Sequence, residues 1–167
     1  RPAPLGPSRA IVVKLTALFA VDAFAGGLVL ASLISLWLMQ RFDLSLADAG
    51  LFFFVMGLLG AASQLAAPWI ARHVGLVNTM VFTHIPSSLL LVTVAYAPSF
   101  PVAAALFLLR ESLVEMDVPT RQSYTMAVVD PDERSAAAGV TSIARSLGAA
   151  VSPSLATPLL AVPGLAT

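Results

Sequence analysis

Five apolar stretches, each long enough to cross a lipid bilayer as a helix, constrain this chain more than any other feature. A helix needs about 20 apolar residues to span a hydrocarbon core of about 30 Å. The predicted spans cover 11–39, 49–70, 77–97, 102–121 and 135–160. The polar segments between them are short, which predicts antiparallel neighbours in sequence. The predicted fold class is therefore an all-α integral membrane bundle with five transmembrane helices.

The composition agrees with a protein that has lipid as its solvent. Hydrophobic residues make up 58% of the chain and charged residues only 11%, whereas soluble domains carry about 25% charged residues. The formal net charge is zero, so no nucleic-acid partner is predicted. The absence of cysteine excludes disulfides and thiolate chemistry within this chain. We predict neither a cofactor nor a metal site.

The distribution of basic residues between the connections predicts the orientation in the membrane. One side carries Arg1, Arg9, Lys14, Arg72, Arg121 and Arg134, and the other only Arg41. The N-terminus is therefore predicted to be cytoplasmic in a multi-pass protein of the plasma (cytoplasmic or inner) membrane. Residues 1–10 are interpreted as a linker from a longer central loop. Residues 11–162 are interpreted as the helical part, and 163–167 as a truncated tail that would precede a missing sixth span.

Ionisable residues inside a membrane helix are costly and usually face a cavity or partner helices. In the first span, Asp22 costs roughly 3 kcal/mol against a larger apolar gain, so this span inserts alone. In the fourth span, the charges cost roughly 10 kcal/mol or more against a gain of roughly 2 to 5 kcal/mol. That span holds Arg110, Glu111, Glu115 and Asp117. Its charged side is predicted to face an interior cavity.

The fifth span carries one charge near its middle. Arg145 lies eleven residues beyond Arg134, which places it roughly 16 Å deep in the membrane. Small residues recur at 142, 146, 150 and 154, and again at Gly57 and Ala61 in the second span. Such rows allow close helix packing in lipid. Asp22 and Arg145 are the predicted cross-helix partners of Arg110 and Glu111, because neighbours in sequence do not face each other on a helix.

The same residues also fit simpler, structural roles. Asp22 serves equally as a packing hydrogen bond, and the charges of the fourth span as a structural ion network. Asp117, Arg121 and Arg134 lie near the predicted cytoplasmic end, where gating or interfacial ion pairs are favoured over solute contact. His84, in the third span, is either a proton carrier or a packed, hydrogen-bonded histidine.

Three segments resemble the major facilitator superfamily (MFS) of transporters: 116–122 (Met-Asp-Val-Pro-Thr-Arg-Gln), the loop 130–134 ending in Glu-Arg, and the Ala-Ala-Ala-Gly run at 136–139. They correspond to that family's tenth helix, the following cytoplasmic loop and its eleventh helix. The family's glycine-rich loop signature is degenerate here, and only Gly75 matches it well, at the turn between the second and third spans.

The resemblance implies twelve helices in two six-helix halves, with a central site that opens alternately to the two sides. This chain would supply helices seven to eleven, and its partners would be the missing N-terminal half, the lipid bilayer and a small solute. We expect a non-enzymatic secondary transporter, an antiporter or symporter with proton coupling as one option. The predicted pathway residues are Asp22, Arg110, Glu111, Glu115 and Arg145. The alternatives are a membrane scaffold or receptor half without transport and, with no recognisable catalytic motif, an intramembrane enzyme.

Overall fold

The structure is a computed structural model that describes residues 5–29 and 31–160. Its α-helices are α1 (Arg9–Gly27), α2 (Ala31–Phe42), α3 (Leu46–Val74), α4 (Leu76–Val94), α5 (Phe100–Val128) and α6 (Arg134–Leu160), and a 3₁₀ turn covers Pro131–Glu133. The predicted all-α membrane fold is confirmed. Residues 163–167, interpreted as a truncated tail, lie outside the described residues.

Each predicted span falls on helical structure, with one internal difference. The first span is divided between α1 and α2, since α1 ends at Gly27 and α2 begins at Ala31. The prolines, by contrast, interrupt nothing: Pro68, Pro86 and Pro119 lie inside continuous helices, as expected for bundles in which neighbouring groups satisfy the freed carbonyls.

Three helical stretches among the described residues are long and apolar enough to cross a membrane: Arg9–Phe42, Leu46–Val74 and Leu76–Val94. Large apolar side chains on them point outward, with Leu65 84% and Trp69 67% exposed. Small or hydroxylated residues such as Ser63, Thr79 and Ser87 are buried. This distribution suits a lipid surround. For α5 and α6 the membrane-spanning role stays a prediction.

The ends of α3 show how local sequence sets the helix boundaries. Ser45 caps the N-terminus, because its hydroxyl accepts a hydrogen bond from the Asp48 amide at 3.1 Å, and the Asp48 carboxylate lies in the first turn. At the other end, Gly75 has φ 91°, a backbone conformation that residues with a side chain rarely adopt. The predicted glycine turn therefore ends α3 and starts α4.

The chain divides into two units, which we call the terminal unit (Arg1–Ile34 with Thr125–Thr167) and the central unit (Ser35–Tyr124). In the terminal unit α1 and α6 run parallel, since Val12 packs near Ala137 and Phe24 near Ser152. In the central unit α3 and α5 also run parallel: the ring centroids of Phe52 and Phe107 are 6.1 Å apart, and Gly60 meets Glu115 further along.

Candidate functional site

The terminal unit holds an ion pair between its two parallel helices. The Arg145 guanidinium on α6 lies 3.1 Å from the Asp22 carboxylate on α1. Both side chains are partly buried, with exposed fractions of 35% and 29%. Asp22 and Arg145 thus pair with each other, and the predicted contacts of these two residues with Arg110 and Glu111, which lie in the central unit, stay predictions. Charges 123 residues apart in sequence become neighbours through helix packing.

Close approach of the backbones makes this pair possible. A Cβ at Gly148 on α6 would overlap the Ala20 carbonyl oxygen, and one at Gly27 on α1 would lie 2.8 Å from the Ser152 Cβ. The Ser152 hydroxyl, fully buried, also donates a hydrogen bond to the Phe24 carbonyl. The contacting face of α6 thus contains Thr141, Arg145, Gly148 and Ser152.

The predicted rows of small residues do not lie on the helix faces that make these close contacts. Ser142, Ser146, Ala150 and Ser154 are all exposed, so that row does not pack against α1. In α3, Gly57 and Ala61 are also exposed, and a Cβ added at Gly57 would meet nothing within 4 Å. Residue size alone does not predict which face of a helix packs. A helix can have several faces with small residues, and the position of the neighbouring helix determines which of them makes the contact.

A second contact joins the start of α1 to the 3₁₀ turn that precedes α6. The Glu133 carboxylate accepts hydrogen bonds from the backbone amides of Gly6 at 2.6 Å and Ser8 at 3.1 Å. In return, the Ser8 hydroxyl accepts from the Asp130 amide at 3.0 Å. The backbone hydrogen bond from Gly6 holds the pKa of Glu133 below its usual range, and Ser8 adds to this effect.

We call the residues Gly6, Ser8, Asp130 and Glu133 the terminal clamp. It places the segment before α1 and the loop before α6 at the same end of the terminal unit, as the predicted topology requires. The sequence analysis noted the Glu-Arg loop ending but assigned no contact to Glu133. A carboxylate reaching free amides at the start of a helix is the signal that identifies such a clamp.

The central unit carries the charged part of α5. Arg110 lies 3.4 Å from the Glu111 carboxylate, so these sequence neighbours do pair, contrary to the expectation that they cannot face each other. The long arginine side chain folds along the helix surface and reaches the adjacent carboxylate. Its Nε is nevertheless buried without a hydrogen-bond partner among the described residues. One nitrogen of Arg110 therefore lacks a hydrogen-bond acceptor among the described residues of the charged part of α5, which holds Arg110, Glu111 and Glu115.

Glu115 finds a partner that sequence analysis missed. The Gln64 side-chain amide on α3 donates a hydrogen bond to the Glu115 carboxylate. The glutamate lies against Gly60, where an added Cβ would be 2.9 Å from its Cγ. Gln64 was detectable as the one long polar side chain in the charge-free second span. Gly60, rather than the predicted Gly57, is the position of close approach in α3.

The three predicted gate residues behave differently from one another. Arg121 and Asp117 form an ion pair at 3.2 Å, four residues apart on α5, and both are buried. A gating role for these residues stays a prediction. The Arg134 side chain is exposed and forms no ion pair within the described part of the chain.

A groove of about 370 Å³ lies between α3, α4 and α5 in the central unit. Proline and other apolar residues form most of its wall, and Arg72, Thr120 and Ser123 supply its polar atoms. The Thr120 hydroxyl is already bonded to the Met116 carbonyl at 2.8 Å. None of the predicted pathway residues lines this groove.

Comparison with known proteins identifies the family to which these features belong. The family model described as Major Facilitator Superfamily matches residues 2–153. The chain is also 26% identical over 144 residues to the uncharacterized membrane protein YJR124C of Saccharomyces cerevisiae, a match covering 86% of this chain and 32% of that relative. The chain thus spans about a third of the relative's length. No solved structure matches.

Proposed function

Because the chain belongs to the Major Facilitator Superfamily, we propose that it is part of a secondary transporter that moves a small solute across a membrane by alternating access. The observation that carries the proposal is the set of charged side chains held within apolar helices. They are Asp22, Arg110, Glu111, Glu115 and Arg145. Such residues are costly in lipid, and pathways for solutes or ions are their usual setting.

The chain would form helices seven to eleven of the C-terminal half, with the N-terminal half supplying the other wall of the pathway. The α1 and α6 ends joined by the terminal clamp would face the cytoplasm, since the basic residues concentrate at that side. The host membrane would be the plasma membrane, and the mode symport or antiport, with protons as the coupling ion.

A partly exposed ion pair between two helices supports transport over a purely structural role. Asp22 and Arg145 keep about a third of their side chains accessible, so a solute or the other half of the protein can reach them. The scaffold alternative predicts that neutralising this pair changes stability alone.

The direct test is solute flux through the full-length protein reconstituted in liposomes, with a panel of small solutes and an imposed proton gradient. We expect flux of at least one solute, and its loss in Asp22→Asn and in Arg145→Gln. The exposed loop residue Asp132 offers a matched control, Asp132→Asn, which should retain wild-type flux. A folded full-length protein that moves no solute, or variants with unchanged flux, would favour the scaffold alternative.

A further inference from the structure

The groove between α3, α4 and α5 has walls of two chemical kinds. Its volume is about 370 Å³, and all of its lining residues belong to the central unit. The apolar wall is formed by Pro68, Ala71, Leu76 and Pro119, and the polar atoms belong to Arg72, Thr120 and Ser123. A groove of this size lies at the lower end of the range for small-molecule sites. A ligand with one apolar part and one polar part matches both kinds of wall.

Two polar side chains of the groove have hydrogen-bond donors to offer a ligand. Arg72 is exposed and forms no ion pair or hydrogen bond within the described residues. Ser123 is also exposed, and its hydroxyl has no hydrogen-bond partner in the same part of the chain. The Thr120 hydroxyl, in contrast, already donates to the Met116 carbonyl. A free guanidinium and a free hydroxyl together suit an anionic group with several oxygen atoms, such as a phosphate.

The charges near the groove favour a ligand that is negative overall. Residues 49–109, which include α4 and nearly all of α3, contain no aspartate or glutamate. On α5, the carboxylate closest in sequence to the groove residues is Asp117, which forms an ion pair with Arg121. A zwitterionic ligand would bring an ammonium group that Arg72 repels. An anionic ligand therefore complements the groove better than a zwitterionic one.

The groove lies near the end of α3, where lipid headgroups are expected. The 29 residues of α3 extend roughly 44 Å, further than a hydrocarbon core of about 30 Å. Arg72 lies in the last turn of this helix, at the depth of the headgroup region. Trp69, one turn earlier and 67% exposed, stacks on His73 with ring centroids 4.7 Å apart. Exposed tryptophans are typical of this interface between lipid and water.

We propose that this groove binds an anionic phospholipid, with the phosphate on Arg72 and Ser123 and the start of an acyl chain along the apolar wall. The site is separate from the proposed pathway, since no predicted pathway residue lines the groove, and it does not depend on transport. The bound lipid contacts three helices of the central unit at once. Because it binds the folded protein, it should also raise the melting temperature.

The experiment measures lipid affinity of the purified full-length protein by native mass spectrometry. The two probes are phosphatidylglycerol and phosphatidylcholine with identical acyl chains, of which phosphatidylglycerol should bind more tightly. Arg72→Gln should weaken phosphatidylglycerol binding by about tenfold or more, given the strength of charge-assisted hydrogen bonds. Arg134→Gln is the matched control, because Arg134 is an exposed arginine that does not line the groove. Its effect should stay below about twofold, as for other exposed charges.

Two further variants test the other parts of the site. Ser123→Ala removes the hydroxyl donor and should weaken phosphatidylglycerol binding by about twofold to tenfold. Leu76→Trp retains both polar groups but fills the apolar part of the groove, so it should weaken binding as well. Thermal unfolding without lipid shows whether each variant is folded. Ser123→Ala, a small change at an exposed position, keeps the test decisive if the tryptophan at 76 prevents folding.

Three results would overturn the proposal, and none of them depends on solute flux. Equal affinity for the two lipids would refute recognition of an anionic headgroup. Equal losses in Arg72→Gln and Arg134→Gln would show unspecific attraction to the basic side of the protein. Inorganic phosphate in large excess distinguishes a lipid site from a site for free anions. It should leave phosphatidylglycerol bound, and displacement of the lipid by phosphate would assign the groove to a free anion instead.

Discussion

The terminal and central units neutralise their buried charges in different ways. In the terminal unit, Asp22 and Arg145 pair between two helices far apart in sequence, and Glu133 joins the segment before α1 to the turn before α6. In the central unit, the ion pairs of α5 are formed within that helix, at Arg110 with Glu111 and at Asp117 with Arg121. Pairs of the first kind connect two helices, whereas pairs of the second kind satisfy charges within one helix.

The largest effect on stability is expected from breaking the pair between helices. Arg145→Ala should lower the free energy of unfolding of the full-length protein by about 2 to 3 kcal/mol, below the range for fully enclosed pairs because both partners are partly exposed. Chemical unfolding in detergent measures this change. Adding Asp22→Asn should restore part of the loss. Arg134→Ala, at an exposed arginine, is the control, and an equal loss there would contradict the assignment.

Helix spacing in the terminal unit gives the next largest effect. Gly148→Ala should cost about 1 to 3 kcal/mol, since the new methyl group would overlap the Ala20 carbonyl and force the helices apart. Gly139→Ala is matched on the same helix and meets nothing within 4 Å, so it should be neutral or slightly stabilising. The melting temperatures of the two variants show whether only the alanine at 148 destabilises the protein. Equal destabilisation would show that Gly148 does not mark the contact.

The central unit should respond less to the same kind of change. Gly60→Ala should cost about 1 kcal/mol or less, because the flexible Glu115 side chain can shift away from the new methyl group. Flux through the reconstituted full-length protein should nevertheless fall, as Glu115 leaves its position beside Gln64. Gly57→Ala, three residues earlier on α3, should retain both stability and flux. A flux loss shared by both variants would point to a general effect on α3.

Removing the Glu133 carboxylate of the terminal clamp should change stability least. The contribution of this carboxylate should be lost at acid pH. The pKa of Glu133 is lowered in the fold from its ordinary value of 4.5. Its contribution to stability is therefore complete above that value and is lost as the pH falls through the lowered pKa. Melting temperatures of the wild type and Glu133→Gln, compared across this range, should converge at acid pH. A difference that stays constant with pH would exclude the carboxylate as the source.

Local features of the fold follow from sequence more readily than contacts between helices. The apolar runs indicate where the helices lie, and Asp117 and Arg121, four residues apart, lie on one helix face and pair there. Gly75 was identified through the resemblance to the family's loop signature, and its positive φ is a local property of the turn. These features depend on residues within one or two helical turns of each other.

Contacts between distant residues were predicted poorly, for reasons visible in particular residues. Asp22 and Arg145 were both identified as pathway candidates, but their pairing with each other was not predicted, since nothing in the spacing tells which helices become neighbours. The rows at Ser142 and Gly57 were chosen by residue size, yet Gly148 and Gly60 make the close approaches. The end of α1 at Gly27, within the first predicted span, was not predicted, although Arg9–Phe42 as a whole is long and apolar enough to cross a membrane.

The central claim is that the charged part of α5, which holds Arg110, Glu111 and Glu115, borders a water-filled pathway. Two adjacent positions on α3 test this claim most directly. Gln64 contacts Glu115, whereas Leu65 points outward with 84% exposure. Gln64→Cys and Leu65→Cys are each placed in a full-length protein free of other cysteines. A membrane-impermeant methanethiosulfonate reagent is then added, which requires a thiolate in water. Modification of the cysteine at 64 alone is the predicted result. Modification of the cysteine at 65 at the same rate, or of neither, would contradict the claim.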